Sequence, residues 1–173
     1  ALNNNSKINS SKVAITGWSL GGGVSLFSAW KPVQEKISPN LKFAAHLPFY
    51  PPCVAKPQLP SFTDSPLHIL AGEDDNWVPS KPCEELILEL NEMGYDNAGI
   101  TVYKGAHHSF DRESEVVKEE SAYRLEDCRL LLNENGVVST NTLISIPMKN
   151  GLMQKLGLMF CVEKGPTFGG NDF

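Results

Sequence analysis

The sequence predicts an α/β fold, a mostly parallel sheet flanked by helices. Three observations carry this expectation. Short apolar runs recur along the chain, each too short and too uniformly apolar for an amphipathic helix, as suits strands buried on both faces. They alternate with loops and helical stretches in the order strand–helix–strand–loop–strand–helix–strand–loop–helix, which parallel strands need for their crossovers. With 173 residues, 41% apolar and 20% charged, the chain is long enough for one globular domain with a sizeable core.

Taken in order, residues 1–10 are polar and read as a surface lead-in. Val13–Thr16 is the first strand. Leu20–Trp30 is apolar almost all round, which predicts an interior helix ended by Lys31-Pro32. A looser stretch, Val33–Asn40, leads to a second strand within Leu41–Tyr50, stopped by Pro51-Pro52. Residues 51–65 form a proline-rich loop, and Pro66–Gly72 is the third strand. After the acidic loop Glu73-Asp74-Asp75-Asn76, Ser80 suits an N-cap, Pro82 a first turn, and Glu84 and Glu85 the positive end of a helix. Cys83, Leu86, Ile87 and Leu90 share one face of that helix, and Gly94 ends it. Ile100–Tyr103 is a fourth strand. A further helix is expected over about Glu115–Asn133, with Leu125, Cys128 and Leu132 inward and Gly136 closing it. The core thus runs over residues 12–136 of a single domain. Residues 137–173 are an extension or cover: Val137–Ile146 has strand character, Leu152–Phe160 is apolar, and Met148, Met153 and Met159 are packing residues.

A net charge of −5 argues against nucleic acid or an anionic membrane as the main partner. No apolar run approaches the roughly 18 residues of a spanning helix. The four cysteines, Cys53, Cys83, Cys128 and Cys161, lack C-x-x-C spacing, which disfavours structural zinc. They allow three pairings, of which Cys53 with Cys83 and Cys128 with Cys161 is expected if disulfides form. Such a chain fits an exported or periplasmic protein as well as a cytoplasmic one with buried thiols. The remaining His and carboxylates show no H-E-x-x-H or comparable spacing, so no metal and no cofactor are expected.

The chemistry starts at Gly17-Trp18-Ser19-Leu20-Gly21, a G-x-S-x-G pattern between a strand and a helix. Such an elbow strains the serine, lifts its hydroxyl off the strand and sets it over a helix N-terminus that favours a developing oxyanion. Gly17 and Gly21 are expected to give the turn its room. A phosphate loop would require G-x-G-x-x-G or a following Lys, and neither is present. A serine hydroxyl needs a base, and the base a carboxylate to orient it. Asp75 lies after the third strand and His108 after the fourth, so three separate loops each bring one member. Spacing alone leaves Glu73, Asp74 and Asp64 as rivals to Asp75, and His107 tied with His108. His46 and His68 sit inside apolar strands and read as hydrogen-bonded core residues. Trp18, Tyr50 and Trp77 could line an apolar acyl or alcohol pocket, or belong to the core.

Four segments, Gly17-Trp18-Ser19-Leu20-Gly21-Gly22, Phe49-Tyr50-Pro51, Gly72-Glu73-Asp74-Asp75-Asn76-Trp77-Val78-Pro79 and Gly105-Ala106-His107-His108-Ser109-Phe110-Asp111, resemble the dienelactone hydrolase family of α/β-hydrolases over residues 12–112. The resemblance implies Asp75 as the triad acid and His108 as the base. The type enzymes of that family carry cysteine where this chain has Ser19, and relatives with serine look like general carboxylesterases. It also implies further strands and two helices before the nucleophile strand, including a loop with one oxyanion donor. The chain is therefore expected to be the C-terminal part of a larger α/β-hydrolase, whose other oxyanion donor is the backbone N–H of Leu20. The function expected is a serine hydrolase of a small-molecule carboxylic ester or lactone. Alternatives are a peptidase or acyltransferase on the same fold, or a non-catalytic binding module.

Overall fold

Four parallel strands position everything that follows. In a computed structural model that describes residues 5–40, 42–140, 145–146 and 161–170, β1 (Ile15–Trp18), β2 (His46–Phe49), β4 (Leu67–Gly72) and β5 (Ala98–Tyr103) lie side by side in that order. Ile15 pairs with His46, His46 with Leu67, and Leu67 with Ala98, so the strand ends are level and their C-terminal loops meet at one edge. In an open parallel sheet that edge is where ligands bind. Helices α1 (Leu20–Phe27), α2 (Lys31–Ile37) and α3 (Lys81–Glu92) complete the α/β half. The short strand β3 (Ala55–Pro57) leaves it to begin a second sheet.

The main core joins α1, α3 and the sheet through Leu26, Trp30, Phe62, Leu67, Ile69 and Leu90, all nearly inaccessible to solvent. Burying each such side chain contributes about 1.5–3 kcal/mol. The expected face of α3 is the one observed: Cys83, Leu86, Ile87 and Leu90 are buried, and Gly94 at φ +89° ends the helix. Ser80 precedes it, but its hydroxyl bonds the Glu84 carboxylate rather than a backbone N–H. A smaller cluster of Tyr50, Ala106 and Phe110, backed by Phe49 and Leu70, lies beneath the C-terminal strand edge.

Several local expectations change. Lys31-Pro32 opens α2 instead of only ending α1: Trp30 is extended, and proline occupies the first helical turn, where its missing N–H costs nothing. α1 is not wholly interior, because Leu20 and Val24, four residues apart, project to solvent at 80% and 64% exposure. β1 alternates in burial, with Thr16 and Trp18 exposed. His46 is a buried histidine whose Nδ1 meets the Ser25 carbonyl at 3.0 Å, and burial holds its pKa below the usual value. His68 instead faces outward, bonding the Thr101 hydroxyl.

The largest change lies after Asp111. No helix covers 115–133; the segment folds as β6 (Val117–Glu119), β7 (Tyr123–Arg124) and β8 (Leu130–Leu132). The Leu125–Cys128–Leu132 spacing is helical, but long-range pairing overrides it. β8 runs parallel to β3, β9 (Val138–Thr140) returns antiparallel, and β10 (Ser145–Ile146) follows. β11 (Glu163–Lys164) pairs with β7, and β12 (Thr167–Gly169) with β6. The expected apolar stretch 152–160 and its methionines lie outside the described residues. Disulfides join Cys53 to Cys83 and Cys128 to Cys161.

Candidate active site

Ser19 stands between β1 and α1 with φ +53° and ψ −115°, outside the regions an ordinary side chain adopts. Its N–H is tied to the Phe49 carbonyl at 3.1 Å, and its carbonyl accepts from Gly23 N–H at 2.9 Å. The turn closes so tightly that a Cβ on Gly17 would fall 2.2 Å from the Gly21 carbonyl oxygen, and one on Gly22 2.4 Å from that of Phe49. Gly21 faces open space, so the crowding expected there falls on Gly17 and Gly22. At the head of α1, the Leu20 N–H belongs to the first turn, whose donors have no intrahelical partner.

The loops after β4 and β5 converge on this serine. His108 Nε2 lies 3.0 Å from Ser19 Oγ, and its Nδ1 lies 2.7 Å from Asp75 Oδ2. The other Asp75 oxygen accepts the N–H groups of Trp77 and Val78 at 3.0 and 2.8 Å, which fixes the carboxylate plane. Both Asp75 and His108 are 3% exposed. With Nδ1–H donating to Asp75, the Nε2 lone pair faces the serine hydroxyl. The rivals have other contacts. Glu73 accepts from Gly105 N–H, Asp74 offers its main-chain carbonyl to His107, and the Asp64 carbonyl accepts from Asn97.

Aromatic rings surround the histidine. Tyr50 meets it edge-on at 4.6 Å and Trp77 lies 4.8 Å away. Trp77 and Trp18 are about half exposed at the mouth, at 41% and 48%. Tyr50 is buried, and its hydroxyl donates to Asp111 at 2.6 Å. Burial first, and then this bond to a carboxylate, pushes the Tyr50 pKa up, so the phenol stays protonated. The second Asp111 oxygen accepts from Trp18 Nε1 at 2.7 Å. Asp111 thus joins the serine turn, the loop after β2 and the histidine loop. Sequence reading gave it no role, since nothing in its spacing marks a carboxylate with two distant donors. Among the described residues no three His, Cys, Asp or Glu side chains converge as a metal set, and no helix is long and apolar enough to cross a membrane.

A family model described as the dienelactone hydrolase family matches residues 1–130. None of the curated proteins matches. Among solved structures, the chain is similar to an acylaminoacyl peptidase in complex with Z-Gly-Gly-Phe-chloromethyl ketone, at 14% identity and a TM-score of 0.51 over 66% of this chain and 22% of that one. MGS-M1, an alpha/beta hydrolase enzyme from a Medee basin deep-sea metagenome library, matches at 18% identity and a TM-score of 0.47, covering 60% of this chain and 42% of that one. Esterase PE8 matches at 16% identity and a TM-score of 0.45, over 60% and 46%. The chain spans less than half the length of each of these structures.

Proposed function

The chain belongs to the dienelactone hydrolase family, and from that premise we propose that it is a serine hydrolase of small carboxylic esters or lactones. One observation carries the reading: the unbroken line Ser19 Oγ, His108 Nε2, His108 Nδ1, Asp75 Oδ2, with contacts of 3.0 and 2.7 Å, at the end of a strained turn over a helix N-terminus. Each contact has hydrogen-bond length, within the reach a general base and its orienting carboxylate require.

In this reading His108 Nε2 takes the proton as Ser19 Oγ attacks the substrate carbonyl carbon. Asp75 holds the ring in the tautomer that leaves Nε2 free and stabilises the imidazolium that forms. The Leu20 N–H supports the negative oxygen. His108 returns its proton to the departing alkoxide, leaving an acyl group on Ser19. Water then gives a proton to His108 and attacks the acyl carbon; as this intermediate collapses the bond to Ser19 Oγ breaks, the serine takes the proton back from His108, and the carboxylic acid is released. Trp18 and Trp77 offer apolar faces to the acyl or alcohol part.

The test is covalent. The full-length protein should react with a fluorophosphonate at Ser19, and Ser19→Ala should lose both the label and about 10⁶-fold in turnover of a chromogenic ester. A folded protein that takes no label would overturn the reading in favour of a binding module. Labelling with turnover of peptides alone would move it to a peptidase.

A further inference from the structure

The loops that carry Asp75 and His108 are both bonded, from outside the parallel sheet, to a segment far along the chain. Residues 166–170 thread between the acid loop and the base loop and bond to both. Asn76, next to Asp75, donates from its amide nitrogen to the Pro166 carbonyl at 3.1 Å and accepts Phe168 N–H at 3.3 Å. One side chain thereby imitates a strand partner. On the other side, His108 N–H donates to the Phe168 carbonyl at 3.3 Å, Gly170 N–H to the His108 carbonyl at 2.8 Å, and His107 N–H to the Gly170 carbonyl at 3.2 Å. The Phe168 ring lies 5.5 Å from that of His107. Gly170 has φ +107°, and a Cβ there would come within 2.8 Å of the Glu115 carbonyl, so only glycine fits. Behind this segment, β12 pairs with β6, and Cys161 is cross-linked to Cys128.

We propose that Asn76, through β12, is the positioning residue that sets the His108 backbone against Asp75. The proposal rests on the hydrolase reading above and deepens it. The parallel sheet delivers the two loops to one edge. The two loops also touch directly, through Asp74 N–H to the Ala106 carbonyl at 3.0 Å, Gly105 N–H to the Glu73 carboxylate and His107 Nδ1 at the Asp74 carbonyl, and residues 166–170 add the bonds that reach the His108 N–H and carbonyl themselves. A misplacement of about 1 Å at such a base can cost on the order of 10²-fold in rate. Residues 166–170 lie beyond the stretch the family model matches.

The experiment compares Asn76→Ala with Asn97→Ala, which removes an equivalent amide-to-carbonyl bond, Asn97 to Asp64, remote from the site. Turnover of a p-nitrophenyl ester is normalised to sites titrated with fluorophosphonate, and the strongly deshielded His108 Nδ1 proton is followed by NMR. Asn76→Ala should lower kcat roughly ten- to hundredfold with KM within about twofold, and broaden the Nδ1 proton into exchange with water. Asn97→Ala should change neither. Should Asn76→Ala fail to fold, Asn76→Asp keeps the acceptor for Phe168 N–H and should give a smaller loss in the same direction. An unchanged kcat per site with an unchanged Nδ1 signal, or an equal loss in Asn97→Ala, would overturn the proposal. A wild-type protein that takes no label defeats the hydrolase reading alone, because the Nδ1 comparison still decides the role of Asn76.

Discussion

The chain up to Ala106 and the chain beyond Asp111 are built on different terms. The first part is a parallel sheet of four- to six-residue strands, covered by helices and packed on Leu26, Phe62, Ile69 and Leu90. The second consists of strands two or three residues long, paired at a distance and cross-linked by Cys128–Cys161. A large buried core packs the first; short strand pairs and the Cys128–Cys161 link hold the described part of the second. On the reading proposed above, the difference separates two tasks of the candidate site. Bringing three loops to one edge is the work of the sheet, and residues 166–170 add bonds to the loops after β4 and β5.

The comparison breaks first at the contact between the loops that follow β4 and β5. Asp75→Asn keeps the shape of the acid but places an amide against His108 Nδ1, favouring the tautomer whose Nε2 carries the proton. On the hydrolase reading kcat should fall by about 10⁴-fold, with fluorophosphonate labelling slowed in proportion and the melting temperature little changed. A loss below tenfold would show that another carboxylate orients the base.

The strained turn gives a second, structural cut. Gly17→Ala drives a methyl group into the Gly21 carbonyl at 2.2 Å, backbone against backbone, with no side chain free to yield. A loss above about 3 kcal/mol is expected in denaturant unfolding, at or beyond the usual range for overpacking. Gly21→Ala places its methyl in open space within α1 and should be neutral or stabilise by up to about 1 kcal/mol. Equal effects at the two glycines would contradict the geometry of the elbow.

Legibility in the sequence follows the same division. β4 could be read locally as a short apolar run, though it alternates in burial with Leu67, Ile69 and Ala71 inward and His68 exposed, and α3 because Cys83, Leu86, Ile87 and Leu90 repeat with the helical period. Ser19, Asp75 and His108 were legible as candidates because each follows a strand, but choosing Asp75 and His108 over their neighbours required the family resemblance. The region beyond Asp111 misled for a physical reason: Leu125, Cys128 and Leu132 have helical spacing, yet Leu132 pairs with Pro57 on β3 and Cys128 is cross-linked to Cys161. Asn76 and Asp111 fall within the segments that carry the resemblance, but no role could be read for them, since their bonding partners are 90 and 61 residues away in sequence.

The two disulfides give the finest test of the division. They close loops of nearly equal size, with separations of 30 and 33 residues, so the chain-entropy argument assigns each about 3.7 kcal/mol. Their surroundings differ. Cys53 and Cys83 belong to the main core, whereas Cys128 anchors short strands outside it. Replacing Cys53 and Cys83 together by alanine should therefore lower the global unfolding free energy by about 2–4 kcal/mol. Replacing Cys128 and Cys161 releases a segment that can open by itself. Its global cost should be smaller, and hydrogen exchange should accelerate at the Phe168 and Gly170 amides while the β4 amides keep their protection. Alkylation of the wild-type protein should add four thiol adducts only after reduction. Uniform acceleration in both variants would mean that the two halves unfold as one unit.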